Sequence, residues 1–163
     1  IHERLSRAGV HNADVRTPKG PDDTLSDIKA SADLVVIDAP CTGTGTWRRN
    51  PDAKWRMRPG ALEVRIKDQI EVLNRAASLA KPGGRIAYIT CSVLPQENNA
   101  QVKAFTARHP DYSVVPAAQV MSVLWDKADD FAAATIQSDE GLLMTPRRTG
   151  TDGFFVSVMT RRT

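Results

Sequence analysis

The chain has 163 residues, 41% hydrophobic and 25% charged, with a formal net charge of +3. That length supports one domain with a real core, and the charge balance is too even to declare a partner before the charges are placed. Its apolar runs fall far short of the roughly 20 residues that cross a bilayer, "IHERLSRAGVHN" is not a signal peptide, and two cysteines without a CxxC or Cys/His cluster exclude a disulfide framework and suggest no metal.

Ile1 to Ala8 reads as the second half of a helix with Gly9 as its stop. With no initiator Met, the chain is expected to continue upstream. Ala13 to Val15 is expected as a short strand and Pro18 to Asp23 as a polar loop. Asp33 to Ile37 is a continuous apolar run, which predicts a strand covered on both faces. Pro40 to Gly60, rich in Gly, Pro and Arg, reads as a functional loop. Leu62, Ile66, Ile70, Leu73, Ala77 and Ala80 recur at helical spacing, and Lys81-Pro82-Gly83-Gly84 ends that helix. Arg85 to Thr90 is a second buried strand, so the middle of the chain is a βαβ unit with parallel strands. A second helix is expected from near Pro95 to about His109-Pro110, then a short strand over Tyr112 to Val115. Pro116 to Glu140 reads as irregular and acidic, with Trp125 a core residue rather than a stacking platform. Gly141 to Thr145 and Phe154 to Thr160 are two strands joined by "PRRTGTDG". The whole is an α/β fold, a parallel βαβ core closed by an antiparallel hairpin.

Ligands of open α/β sheets bind at the carboxyl ends of the strands. Asp38 to Cys41 and Cys91 lie at two such ends, so both thiols are expected to face one cleft. From pattern alone, two readings stand for each cysteine: a small buried residue or a working thiol. Asp38 is a ligand-binding acid or a local Asx turn. "CTGTGTW" lacks the lysine of a phosphate-binding loop. Residues 47 to 58, "WRRNPDAKWRMR", carry five basic side chains, one acid and two tryptophans. Arg48, Arg49, Asn50, Lys54, Trp55 and Arg56 in this segment are candidate RNA contacts, since arginines place phosphates and tryptophans stack on bases. "TPRRTG" adds two arginines in another loop.

"DAPCTGTGTWRRNPDAKW", "TCSVLPQEN" and "RRTGTDGFF", in this order across almost the whole chain, resemble the RNA 5-methylcytosine methyltransferases of the Sun (Fmu) type. The best-known bacterial members of that family modify 16S ribosomal RNA. The resemblance implies a Rossmann-like sheet, S-adenosylmethionine as methyl donor and an RNA substrate, rRNA first and tRNA second, in the cytoplasm. It makes Cys91 of Thr-Cys-Ser the nucleophile that adds to C6 of cytosine, and gives Cys41 of Asp-Ala-Pro-Cys the breakdown of the adduct. Asp38 matches the acid on the cytosine edge, and Asp14 in "NADVRTP" matches an acid that contacts the cofactor's adenosine. Asp38 and Pro40 complete the cofactor-side residues that the resemblance implies.

The family's glycine-rich cofactor loop and its ribose-binding acid do not occur in this chain; "KPGGR" stands in the wrong order to be that loop. Residues 1–163 are therefore expected to be part of a catalytic domain whose first strands lie upstream. That predicts weak or no S-adenosylmethionine binding by these residues alone. It also predicts an exposed edge on the Asp38 strand, with self-association or a displaced N-terminal segment covering it. An inactive RNA-gripping module and a methyltransferase acting on another nucleic acid are the competing readings.

Overall fold

The structure, a computed structural model, describes residues 1–17 and 25–163, the Trp125 side chain excepted. The expected polar loop Pro18 to Asp23 and the core placement of Trp125 lie outside the described residues. The chain opens with helix α1 (His2–Arg7), closed by Gly9 in the left-handed conformation at φ 65°. None of its residues is buried.

The centre is strand β1 (Ala32–Asp38), a loop holding the one-turn helix α2 (Ala53–Arg56), helix α3 (Ala61–Leu79) and strand β2 (Ala80–Thr90). β1 and β2 are parallel neighbours, with Val35 opposite Ile86 and Asp38 opposite Ile89. Lys81–Gly84 bulges out of the ladder: Ala32 pairs with Ala80, and the next partners are Leu34 and Arg85. Gly83 has φ 76°, and a Cβ on Gly84 would stand 2.8 Å from the Ala32 carbonyl oxygen, so both glycines are required by the bulge. An ion pair from Lys81 to Asp33 ties the two strand starts and holds the Asp33 carboxyl below its ordinary range.

Then follow α4 (Asn99–Arg108), β3 (Tyr112–Val114), α5 (Ala117–Met121), α6 (Ala128–Ala134), β4 (Ile136–Ser138), β5 (Gly141–Met144), α7 (Pro146–Thr149) and β6 (Phe154–Arg161). The sheet runs β1-β2-β6-β5-β4, and β3 also pairs with β6. All pairings beyond β1–β2 are antiparallel, so the expected mixed α/β sheet is the fold observed.

The core lies between the sheet and helices α3 and α4. Ile37, Ile86, Tyr88, Phe155 and Met159 alternate inward from the strands and meet Leu73, Ala76 and Ala77 of α3 and Val102 and Phe105 of α4. Phe105 packs on His109 and Tyr112 with ring centroids 4.6 and 5.3 Å away, and the Tyr112 hydroxyl donates to the Ala77 carbonyl.

Four expectations need correction. β1 is not covered on both faces: Leu34 and Val36 are 53% and 60% exposed, because α3 packs on one side and no described element covers the other. Ala13 to Val15 forms no strand, since no described strand runs beside it, and among the described residues before β1 none pairs with its free edge. α4 starts at Asn99 rather than near Pro95, because the buried Glu97 and Asn98 side chains hold the preceding turn out of helical geometry. Pro116 to Glu140 is ordered into α5, a 3-10 stretch, α6 and β4, pieces too short for periodicity to reveal.

Phe105→Ala empties a fully buried site and is expected to lower stability by about 3–5 kcal/mol in denaturant unfolding. Val36→Thr, on the uncovered face, is expected to change it by no more than about 0.5 kcal/mol.

Candidate active site

The parallel register brings the ends of β1 and β2 side by side. Beyond them the Ala39 N–H still donates to the Ile89 carbonyl at 2.9 Å. Two residues further on, Cys41 meets Cys91, with the sulfurs 3.4 Å apart. Both are free and partly buried. The two thiols of the sequence therefore do face each other.

Three groups of contacts hold them there. The glycines of the two loops interlock: the Gly45 N–H donates to the Cys91 carbonyl, and the Gly153 N–H to the Gly45 carbonyl. A Cβ on Gly45 would come within 2.1 Å of the Gly153 oxygen, so no other residue fits this crossing. The Thr44 and Ser92 hydroxyls share a hydrogen bond of 3.0 Å, and Thr44 also accepts from the Val93 N–H. Asn98 donates to the Ser92 carbonyl and accepts from the Thr90 hydroxyl at 2.6 Å.

The third group is centred on Glu97, which is fully buried. Its carboxylate accepts from the Thr42 N–H at 2.8 Å, the Thr42 hydroxyl at 2.5 Å and Gln69 Nε2 at 3.1 Å. Gln69 also donates to the Pro40 carbonyl. The residues before and after Cys41 are thus both gripped from the protein interior.

The thiol pair shares charge unevenly. The hydrogen bond from Cys91 stabilises a Cys41 thiolate and outweighs its burial, and backbone N–H groups of Gly43 and Cys91 add to the effect, bringing Cys41 down to about 7. Cys91 is pushed up, first by that same bond and then by burial. Of the two thiols, Cys41 therefore gives up its proton more readily than Cys91. Asp38, exposed at the end of β1, adds like-charge repulsion against a thiolate at Cys91.

A cleft of about 920 Å³ opens from Cys41 and Thr42 and is walled by Arg49, Arg56, Arg58 and Arg65. Its size is that of a small-ligand site. Of the candidate RNA contacts, Arg49, Asn50 and Arg56 line this cleft. Arg48, Lys54 and Trp55 stand exposed outside its lining; Trp55 is 80% exposed, with the Lys54 ammonium 4.7 Å from its ring centroid. Arg49 is fixed by Asp152 through Nε and a terminal nitrogen at 2.9 and 2.8 Å. Arg148 of "TPRRTG" turns away to donate to the Ala133 and Ala134 carbonyls, capping α6.

The cofactor-side residues are not assembled. Asp14 is exposed and paired with Arg16, and none of Asp14, Asp38 and Pro40 lines the cleft. Among the described residues no group of three His, Cys, Asp or Glu is arranged to hold a metal, and no helix is long and apolar enough to cross a membrane.

Sequence reasoning missed Glu97, Gln69 and Asp152. Glu97 and Asp152 stood inside quoted motifs but carried no role. Gln69 falls three residues after Ile66, on the inward side of α3, and a polar residue at an inward position was the available signal.

Alkylation by iodoacetamide, followed by peptide mass spectrometry, is expected to show Cys41 half-reactive near pH 7 and Cys91 far less reactive. Cys91→Ala removes the hydrogen bond to the Cys41 thiolate, so the Cys41 midpoint should rise towards the ordinary thiol value of about 8.5.

The chain matches the profile of the family described as 16S rRNA methyltransferase RsmB/F over residues 1–160. It is 37% identical to a ribosomal RNA small subunit methyltransferase B of Sodalis glossinidius, covering 100% of this chain and 34% of that protein. It is 40% identical to the protein of that name from Salmonella arizonae, over 68% of this chain and 26% of the relative. The chain thus spans about a third of the length of these curated relatives. Among solved structures it is similar to PH0851, with TM-score 0.79 and 28% identity over 97% of this chain and 33% of that one. NSun6 from Pyrococcus horikoshii, solved with SFG, shares the fold at TM-score 0.71 and 21% identity over 99% of this chain and 38% of that one. A two-cysteine site on a mixed α/β sheet and a family match across nearly every residue agree: the chain belongs to the RsmB/F family of rRNA methyltransferases.

Proposed function

We propose that this chain carries the covalent machinery of an RNA cytosine-C5 methyltransferase, acting on 16S rRNA, with Cys91 as nucleophile. The observation that supports this most is the thiol pair, 3.4 Å apart, of which Cys41 lines an arginine-walled cleft and Cys91 stands behind it, outside the lining. A thiol alone adds poorly, because only the thiolate attacks. Cys41 gives up its proton more readily, and as a thiolate it takes the Cys91 proton along the existing hydrogen bond. The Cys91 thiolate then forms an Sγ–C6 bond. The C5–C6 π electrons shift towards N3, which takes up a proton with support from Asp38. C5 is now an enamine carbon able to accept a methyl group. Once C5 is methylated, the C5 proton is lost to water, its bonding electrons form the C5–C6 double bond as the Sγ–C6 bond breaks to release the Cys91 thiolate, and N3 gives up the proton it had taken. Cys41, beside the leaving sulfur, serves this release.

The methyl donor we propose is S-adenosylmethionine, supported by the family and by SFG, an analogue of it, in the NSun6 structure. Its binding residues are proposed to come largely from a part of the catalytic domain upstream of residue 1. The free edge of β1, with Leu34 and Val36 uncovered, supports that reading; in the longer protein a further strand or a second copy closes it. Arg49, Asn50 and Arg56 are proposed to hold phosphates around the target, with Arg48, Lys54 and Trp55 on the approach. The base must reach the thiols unstacked, since duplex pairing would bury C6.

The test is covalent trapping on 5-azacytidine-containing rRNA with the full-length protein, read as a shifted band. Wild type and Cys41→Ala are expected to form the adduct and Cys91→Ala to form none. An adduct that survives in Cys91→Ala and vanishes in Cys41→Ala reverses the roles. RNA binding with no adduct in any of the three proteins leaves an RNA-gripping module.

A further inference from the structure

Resting on the thiol chemistry just proposed, we infer that Glu97 is the positioning residue of the cysteine pair, clamping the Cys41 turn against the Cys91 loop and making Cys41 the better acceptor for the Cys91 proton through its negative charge.

The geometry carries the first half. Glu97 lies six residues after Cys91, yet both its oxygens bond to Thr42, the residue that follows Cys41. Gln69 bridges the same carboxylate to the Pro40 carbonyl, on the other side of Cys41. The Glu97 carbonyl accepts the Tyr88 hydroxyl at 2.7 Å, which anchors the residue to β2. From the segment that follows Cys91, Glu97 thus grips the residue directly after Cys41, beside the Ser92 bond to Thr44.

The second half follows from the hydrogen-bond inventory. Three donors converge on Glu97, and none of them is a cation. A glutamine could keep most of these contacts, because the Thr42 hydroxyl can rotate to accept. What glutamine lacks is charge. A negative charge beside Cys41 opposes a thiolate there, and that repulsion acts on Cys41. A less stable Cys41 thiolate is a stronger base towards Cys91.

Other charges face the pair. Asp38 at the end of β1 acts on Cys91, and Tyr88 of β2 is buried nearby with its ionisation pushed up. Arg49, Arg56, Arg58 and Arg65 share the cleft with Cys41.

Two variants of the full-length protein separate clamp from charge by the pH dependence of Cys41 alkylation with iodoacetamide. Glu97→Gln keeps the clamp and removes the charge, so the Cys41 midpoint should fall by about half a pH unit or more. Thr42→Val keeps the charge and loosens the clamp, so the Cys91 bond weakens and the midpoint should rise. A purely structural role would move both variants upward, and that result, or an unmoved Glu97→Gln midpoint, overturns the inference. Opposite shifts support it. The trapping experiment is read separately: opposite shifts in a protein that forms no cytosine adduct keep the role of Glu97 and overturn the reaction, whereas a normal adduct with unmoved midpoints does the reverse.

Discussion

The parallel pairing of β1 with β2 is the constraint on which everything else in this structure rests. With Asp38 opposite Ile89, the two chains leave the sheet at the same level and in the same direction. Only then do Cys41 and Cys91 approach to 3.4 Å. A slip of one residue would turn one side chain of each pair to the opposite face and separate the sulfurs. α3 enforces the register by burying Leu73, Ala76 and Ala77 against Ile37 and Ile86, and the Lys81–Gly84 bulge absorbs the extra residues between helix end and ladder.

Electrostatics at the site is layered by depth. The innermost group is Glu97, whose burial is costly in itself and is offset by three hydrogen bonds. Above it sit the two thiols, of unequal acidity. The outermost layer is arginine-rich and lines the cleft. This order places negative charge where it can tune sulfur and positive charge where it can meet a polyanion. Asp152 links the outer layer to the hairpin loop by fixing Arg49, and the Gly45–Gly153 crossing welds that loop to both cysteine turns.

The sheet is finished on one side and open on the other. β3 and β5 share the far edge of β6 end to end, and β4 extends it. At the opposite end β1 has no outer neighbour among the described residues, and Leu34 and Val36 are exposed. Exposed apolar edges invite pairing, which agrees with a chain spanning about a third of its relatives.

The amino-acid sequence by itself determined the strand, crossover helix and strand, the cysteines at two neighbouring strand ends, and the closing hairpin. Each depends on short-range rules: apolar runs, 3.6-residue spacing, and glycine or proline at the turns. The motif resemblance reached further and placed the family. Only the tertiary structure decided what depends on the opposite surface. Leu34 and Val36 look like core in the sequence and are exposed, because burial is a property of the packing partner. Gln69 and Glu97 look like surface residues and are buried, with Gln69 Nε2 donating to Pro40 and Glu97, and Thr42 donating to Glu97. Pro116 to Glu140 folds into pieces stabilised by neighbours such as Arg148, which no local pattern encodes. That the two sulfurs meet at 3.4 Å, close enough to share a hydrogen bond, depends on geometry between residues fifty positions apart.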